Sequence, residues 1–93
     1  MDLDSYQKFA ISTRLRPFSS LYLAVGLSGE VGEVCNEVKK EVRDGKEVRQ
    51  SISDELGDVL WYVSCLADSY DLKLSEIASK SVDKLTKRRS KSD

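Results

Sequence analysis

Ninety-three residues make one domain with room for only a limited core, so self-association is the expected way to bury more surface. Hydrophobic residues at 40% and charged residues at 33% argue against a disordered chain, and a net charge of −1 argues against wholesale polyanion binding. With no histidine and two cysteines lacking CxxC spacing, zinc binding and Ser–His or Cys–His chemistry are disfavoured.

The pattern predicts a first helix over 2–15, with Leu3, Tyr6, Phe9, Ala10, Thr13 and Leu15 as its apolar stripe and Gln7, Lys8 and Arg14 off it. Pro17 ends this helix, because its ring removes a donor and pushes Arg16 out of the helical region. Ser19 or Ser20 is placed to cap a second helix over 20–43. Its core stripe is Ala24, Leu27, Val31, Val34, Val38 and Val42. Glu30, Glu33, Glu37 and Glu41 form a parallel stripe about a quarter turn away, beside the core and not opposite it. Gly26, Gly29 and Gly32 each cost about 1 kcal/mol relative to alanine inside a helix. They signal either a weakened helix or close approach of another helix or a ligand.

Asp44-Gly45 is a stop followed by a turn, and 46–50 is a polar connection. A third helix is predicted over 51–70, capped by Ser51 or Ser53, with Ile52, Leu56, Val59, Leu60, Val63, Leu66 and Tyr70 as its core stripe. Glu55, Asp58, Tyr62 and Cys65 flank that stripe, and Trp61 lies almost opposite it, which suggests a second covered surface, from a subunit partner or a terminal segment. Cys35 and Cys65 are expected as small buried or half-buried residues, not as a disulfide. A fourth helix is predicted over 75–89, with Ser75 as N-cap, Ile77, Ala78, Val82 and Leu85 facing the core, and a basic last turn. Residues 90–93 are expected to be a disordered basic tail, leaving a single domain over 1–89. The architecture is thus an all-α four-helix bundle. No apolar run approaches 18 residues and no signal-peptide pattern is present, so a cytoplasmic location away from membranes is expected.

Chemistry concentrates in two acidic stretches, Glu30-Val-Gly-Glu33 and Asp54-Glu-Leu-Gly-Asp58. Carboxylates three apart on a helix share one side, and two such pairs repel unless a cation sits between them. The short link between the second and third helices predicts antiparallel packing, which would bring Glu30, Glu33, Glu55 and Asp58 around one space. Hard oxygen ligands without nitrogen or sulfur suit Mg2+, with Mn2+ as a substitute, and Mg2+ commonly bridges to phosphates. Lys84 and Arg88, four apart on the fourth helix, are placed to meet those phosphates or simply to complement the helix end. The basic run is short and lacks interleaved aromatics, so nucleic acid is not the expected partner.

Gly26-Leu-Ser-Gly-Glu-Val-Gly-Glu-Val34, then Asp54-Glu-Leu-Gly-Asp-Val-Leu-Trp-Tyr62, then Lys84-Leu-Thr-Lys-Arg88 closely resembles the MazG-like nucleoside triphosphate pyrophosphohydrolases. The resemblance spans Tyr22 to Arg88. It implies an all-α fold of the NTP pyrophosphatase type, completed by a homodimer or homotetramer in which helices from two subunits build each site. It implies Mg2+ at Glu30, Glu33, Glu55 and Asp58, and cleavage of a (d)NTP between the α and β phosphates to a monophosphate and pyrophosphate. Lys84 and Arg88 fall on the basic positions of the family pattern N-x-x-K-L-x-x-R. Ser81 departs from its asparagine, which leaves the range of bases and sugars open. Glu33 is the first choice as the base that activates water, and Glu37 the second. Tyr62 is expected beside the nucleotide or, equally, as a packed tyrosine. Two alternatives stand beside this one: a phosphoribosyl-ATP pyrophosphohydrolase, which shares the carboxylate scaffold, and a non-catalytic helical interaction module. Trp61-Tyr62 after Asp58 leans toward the MazG-like branch.

Overall fold

Asp2 starts the first helix by accepting a hydrogen bond from the Ser5 backbone N–H at 2.8 Å, and the chain then runs through four α-helices. A computed structural model describes residues 1–92: α1 is Leu3–Ser12, α2 Ser20–Asp44, α3 Arg49–Ser69 and α4 Leu74–Ser92, with no strand among the described residues. The all-α architecture is as expected, and several boundaries differ.

Helix α1 stops three residues before the expected end because side chains close it. Thr13 Oγ1 donates to the Ala10 carbonyl at 2.7 Å, and Arg14 Nε donates to the Ile11 carbonyl at 3.3 Å. Ser19 caps α2 as expected, its oxygen accepting from the Tyr22 N–H. Gly45 ends α2 in the left-handed conformation (φ 65°), with its N–H bonded to the Glu41 carbonyl. Helix α3 begins two residues earlier than expected, behind a buried Val48 and not behind Ser51 or Ser53; Val48 offers no capping side chain, and the Glu47 carboxylate accepts from the Arg49 N–H instead. Helix α4 continues through Ser92, so the expected tail at 90–93 is helical as far as it is described, and Asp93 lies outside the described residues.

α2 and α3 form an antiparallel hairpin, since Gly26 meets Tyr62 while Glu30 meets Glu55 and Asp58. Leu23 is fully buried, and Leu27, Glu30, Val34 and Glu37 are half-buried, so these make the inner line of α2. Ile52, Glu55, Val59, Tyr62 and Leu66 make the matching line of α3. The expected stripes are therefore rotated. Val31, Val38, Val42, Leu56 and Leu60 face outward, 39–80% exposed, and the acids Glu30 and Glu55 take inner positions. At 100° per residue, the outward apolar residues of both helices fall on one side of the antiparallel hairpin.

α1 crosses α3 and also carries the start of α4, which packs against α1 instead of along the hairpin. Gln7, expected off the stripe, is buried here. Its Nε2 donates to the carbonyls of Ser64 (3.1 Å) and Leu72 (2.9 Å), and its Oε1 accepts from the Leu74 N–H (3.0 Å). Phe9 and Leu15, placed on the stripe by the sequence, are exposed. Trp61 is met by the chain's own N-terminal segment, its Nε1 donating to Thr13 Oγ1 at 2.8 Å. The radius of gyration is 15.8 Å, against about 12 Å for a compact chain of this length. No helix among the described residues is long and apolar enough to cross a membrane.

Candidate metal centre

Three acids converge where α2 and α3 face each other. Glu30, Glu55 and Asp58 each offer an oxygen, and the three oxygens lie within 4.8 Å of one another. Glu55 and Asp58 come from one turn of α3, and Glu30 comes from the inner line of α2. Glu30 and Glu55 are half-buried and Asp58 is exposed, so the group opens to solvent on one side.

The electrostatics register the crowding. Loss of solvent raises the Glu55 carboxyl above its ordinary range; a hydrogen bond shared with Glu30 and the charges of Glu30, Asp58 and Glu33 push the same way. A divalent cation would remove this repulsion, and an all-oxygen donor set suits a hard ion. The residues present therefore fit a metal ion, which Glu30, Glu55 and Asp58 could hold.

Glu33 is exposed and stands outside the three-oxygen group, though near enough for its charge to act on Glu55. The reason is angular: three residues of helix turn Glu33 about 60° from Glu30, toward the rim of the α2–α3 contact. Glu37 points inward, two turns further along α2, and is paired with Lys40 at 3.1 Å.

Tyr62 closes the other end of the site. Its ring lies directly against Gly26, so that a methyl group there would overlap it, and it meets Trp61 edge-on at 5.0 Å. Burial raises the Tyr62 hydroxyl's pKa, with the charges of Tyr22, Glu30 and Asp58 adding to the effect. Of the three glycines, Gly26 alone reflects a close approach within the chain; Gly29 and Gly32 face open space. Phe18 and Tyr22 stack at 4.5 Å beside this end, with the Arg16 guanidinium 5.7 Å from the Phe18 ring. The sequence reading did not single out this aromatic pair; i, i+4 spacing across a helix start was the available signal.

Lys84 and Arg88 lie on one face of α4, where with Ile77, Lys80, Ser81 and Leu85 they line a groove of about 370 Å³. Among the described residues α4 packs chiefly on α1 and not along the hairpin that carries the acids. A larger groove of about 660 Å³ lies between α1 and the α3–α4 link, bordered by Asp4, Gln7, Asp68 and Lys73, away from the acidic group. Cys35 is exposed, contrary to expectation, and Cys65 is buried; both are free thiols.

A helical hairpin with three carboxylates converging at its centre defines the class: an all-α protein whose acidic group could hold a hard cation. The chain belongs to the MazG nucleotide pyrophosphohydrolase domain family, whose model matches residues 18–92. It is similar to the Gene 37 protein of Mycobacterium phage L5, 37% identical over 102 aligned residues that cover 96% of this chain and 90% of that protein. It is also similar to the uncharacterized protein YpjD of Bacillus subtilis (strain 168), 33% identical over 75 residues covering 76% and 68% of the two chains. No solved structure matches it.

Proposed function

We propose that the protein is a Mg2+-dependent pyrophosphohydrolase that cleaves a (d)NTP between its α and β phosphates, releasing a nucleoside monophosphate and pyrophosphate. The observation that carries this reading is the meeting of Glu30, Glu55 and Asp58 inside the segment that matches the family. Mg2+, or Mn2+ in its place, would be held by these three residues with Glu33 at the rim, and when bound it supplies neutralisation of phosphate charge.

The chain's own groups do the rest. Glu33, exposed and unburdened by the Lys40 pairing that occupies Glu37, takes the proton from the attacking water as the bridging P–O bond breaks. Tyr62 and Gly26 bound the end of the site where the nucleoside lies. Lys84 and Arg88 from a second copy of the chain stabilise charge on the pyrophosphate leaving group. Assembly as a homodimer or homotetramer is supported by the outward apolar side of the α2–α3 hairpin, by the expanded single chain and by an α4 that packs away from the hairpin. The reaction controls or cleans the nucleotide pool, and the proposed location is the cytoplasm.

The test is a panel of (d)NTPs and phosphoribosyl-ATP, incubated with and without Mg2+, with products identified. Monophosphate and pyrophosphate from a (d)NTP support the proposal. Turnover of phosphoribosyl-ATP alone would replace it with the histidine-precursor reaction. Absence of any metal-dependent turnover would leave a helical interaction module.

A further inference from the structure

The first turn of helix α4 is held by side chains of another helix. The backbone N–H groups of Leu74 and Ser75, orphaned at a helix start, are taken up by side chains of α1. Gln7 Oε1 accepts from Leu74, and Asp4 Oδ1 accepts from Ser75 at 3.0 Å, while the Ser75 hydroxyl donates to Asp4 Oδ2 at 2.6 Å. Gln7 also binds the carbonyls of Ser64 and Leu72, so one buried amide ties the end of α3, the link and the start of α4 together. The Asp4 carboxylate lies at the positive end of the α4 dipole, and its bonds to Ser75 hold its pKa below the usual range.

This clasp is the principal attachment of α4 within the chain. It acts on a long lever. Lys84 and Arg88 lie about 14 and 20 Å along the helix from Ser75, so a tilt of about 10° moves them by about 2 and 3 Å. Displacements of that size are enough to spoil a phosphate contact.

We infer that Asp4 and Gln7 are positioning residues for the reaction, aiming the Lys84–Arg88 face of α4 by clasping its first turn. The inference rests on the proposed role of Lys84 and Arg88 at the phosphates. Asp4 is the place to test it, because its bonds lie at the surface and its loss spares the buried Gln7 network.

Asp4→Ala is expected to lower kcat/KM by about tenfold or more, and Asp4→Asn, which keeps an acceptor for Ser75, to stay within about twofold of the wild type. Mg2+ affinity at the acidic group should not change in either variant. In a background carrying both Lys84→Ala and Arg88→Ala, Asp4→Ala should cost little further, since the groups it aims are already gone; a purely structural defect would add. Spin labels on Lys39→Cys and Lys87→Cys, in a Cys35→Ser background diluted with unlabelled protein, report the aim of α4 directly. Asp4→Ala should broaden the distance distribution. An unchanged distribution overturns the clasp. A broadened one with unchanged kcat/KM, while Arg88→Ala is impaired, overturns its link to catalysis. A broadened one with Lys84→Ala and Arg88→Ala both fully active removes the assignment of those two residues to phosphate, and the inference with it.

Discussion

A single methyl group at Gly26 tests the α2–α3 register that brings the acids together. In Gly26→Ala the new carbon would overlap the edge of the Tyr62 ring, which must swing away from α2. Overpacking of this kind costs about 1–3 kcal/mol. Replacing a mid-helix glycine by alanine returns about 1 kcal/mol, so the net effect runs from about neutral to about 2 kcal/mol destabilising. Gly29→Ala, in the same helix, meets no atom within 4 Å and should keep the whole helical gain of about 1 kcal/mol. The two variants should therefore differ by about 1–3 kcal/mol, a separation of roughly 5–20 °C in Tm. Thermal unfolding at one fixed protein concentration measures it, because assembly makes Tm concentration-dependent. If Gly26→Ala gains as much stability as Gly29→Ala, Tyr62 does not lie against Gly26 and the register is wrong.

Glu55 sets a pH dependence. Its folded-state carboxyl is raised above the ordinary 4.5, so its contribution to stability is full below that value and is lost as pH rises through the raised one. Without divalent cation, the wild type should lose Tm relative to Glu55→Gln as pH rises above the ordinary carboxylate value, where the lowered aspartates Asp2, Asp4 and Asp44 are already ionised; parallel curves would contradict this. Mg2+ should raise the wild-type Tm at neutral pH and raise that of Glu55→Gln far less. Glu33→Gln should lower kcat by about 10²-fold or more while sparing Mg2+ binding, whereas Glu37→Gln should lower it less; the reverse order would make Glu37 the base. Glu55→Gln and Arg88→Ala, each impaired alone, should recover part of the activity when mixed and allowed to exchange subunits, and no recovery would place each whole site within one chain.

Helix number and approximate extent were legible because apolar spacing, Pro17, Ser19 and Gly45 are local signals. What failed was what a neighbour decides. Gln7 reads as a surface residue until three backbone groups from α3, the link and α4 need its amide. Val48 starts α3 because burial, not a capping hydroxyl, fixes that turn. The acidic pairs were visible, and three of their four carboxylates, all but that of Glu33, meet across antiparallel helices as expected. Their rotation into the helix contact was not. Periodicity gives the width of an apolar stripe but not which edge meets the partner, so Val31 and Leu56 came out exposed while Glu30 and Glu55 turned inward. That rotation leaves Glu33 exposed at the rim. The basic face of α4 was legible as a motif, but its aim was not, because side chains of α1 set it.

The proposed reaction is defined by the bond that breaks. Phosphorus NMR of a dNTP turned over by the wild-type protein with Mg2+ reads it directly. Monophosphate and pyrophosphate signals are expected in equal amounts, absent without the cation and absent in Asp58→Asn. Diphosphate with orthophosphate, or equal turnover by Asp58→Asn, would contradict the proposed reaction.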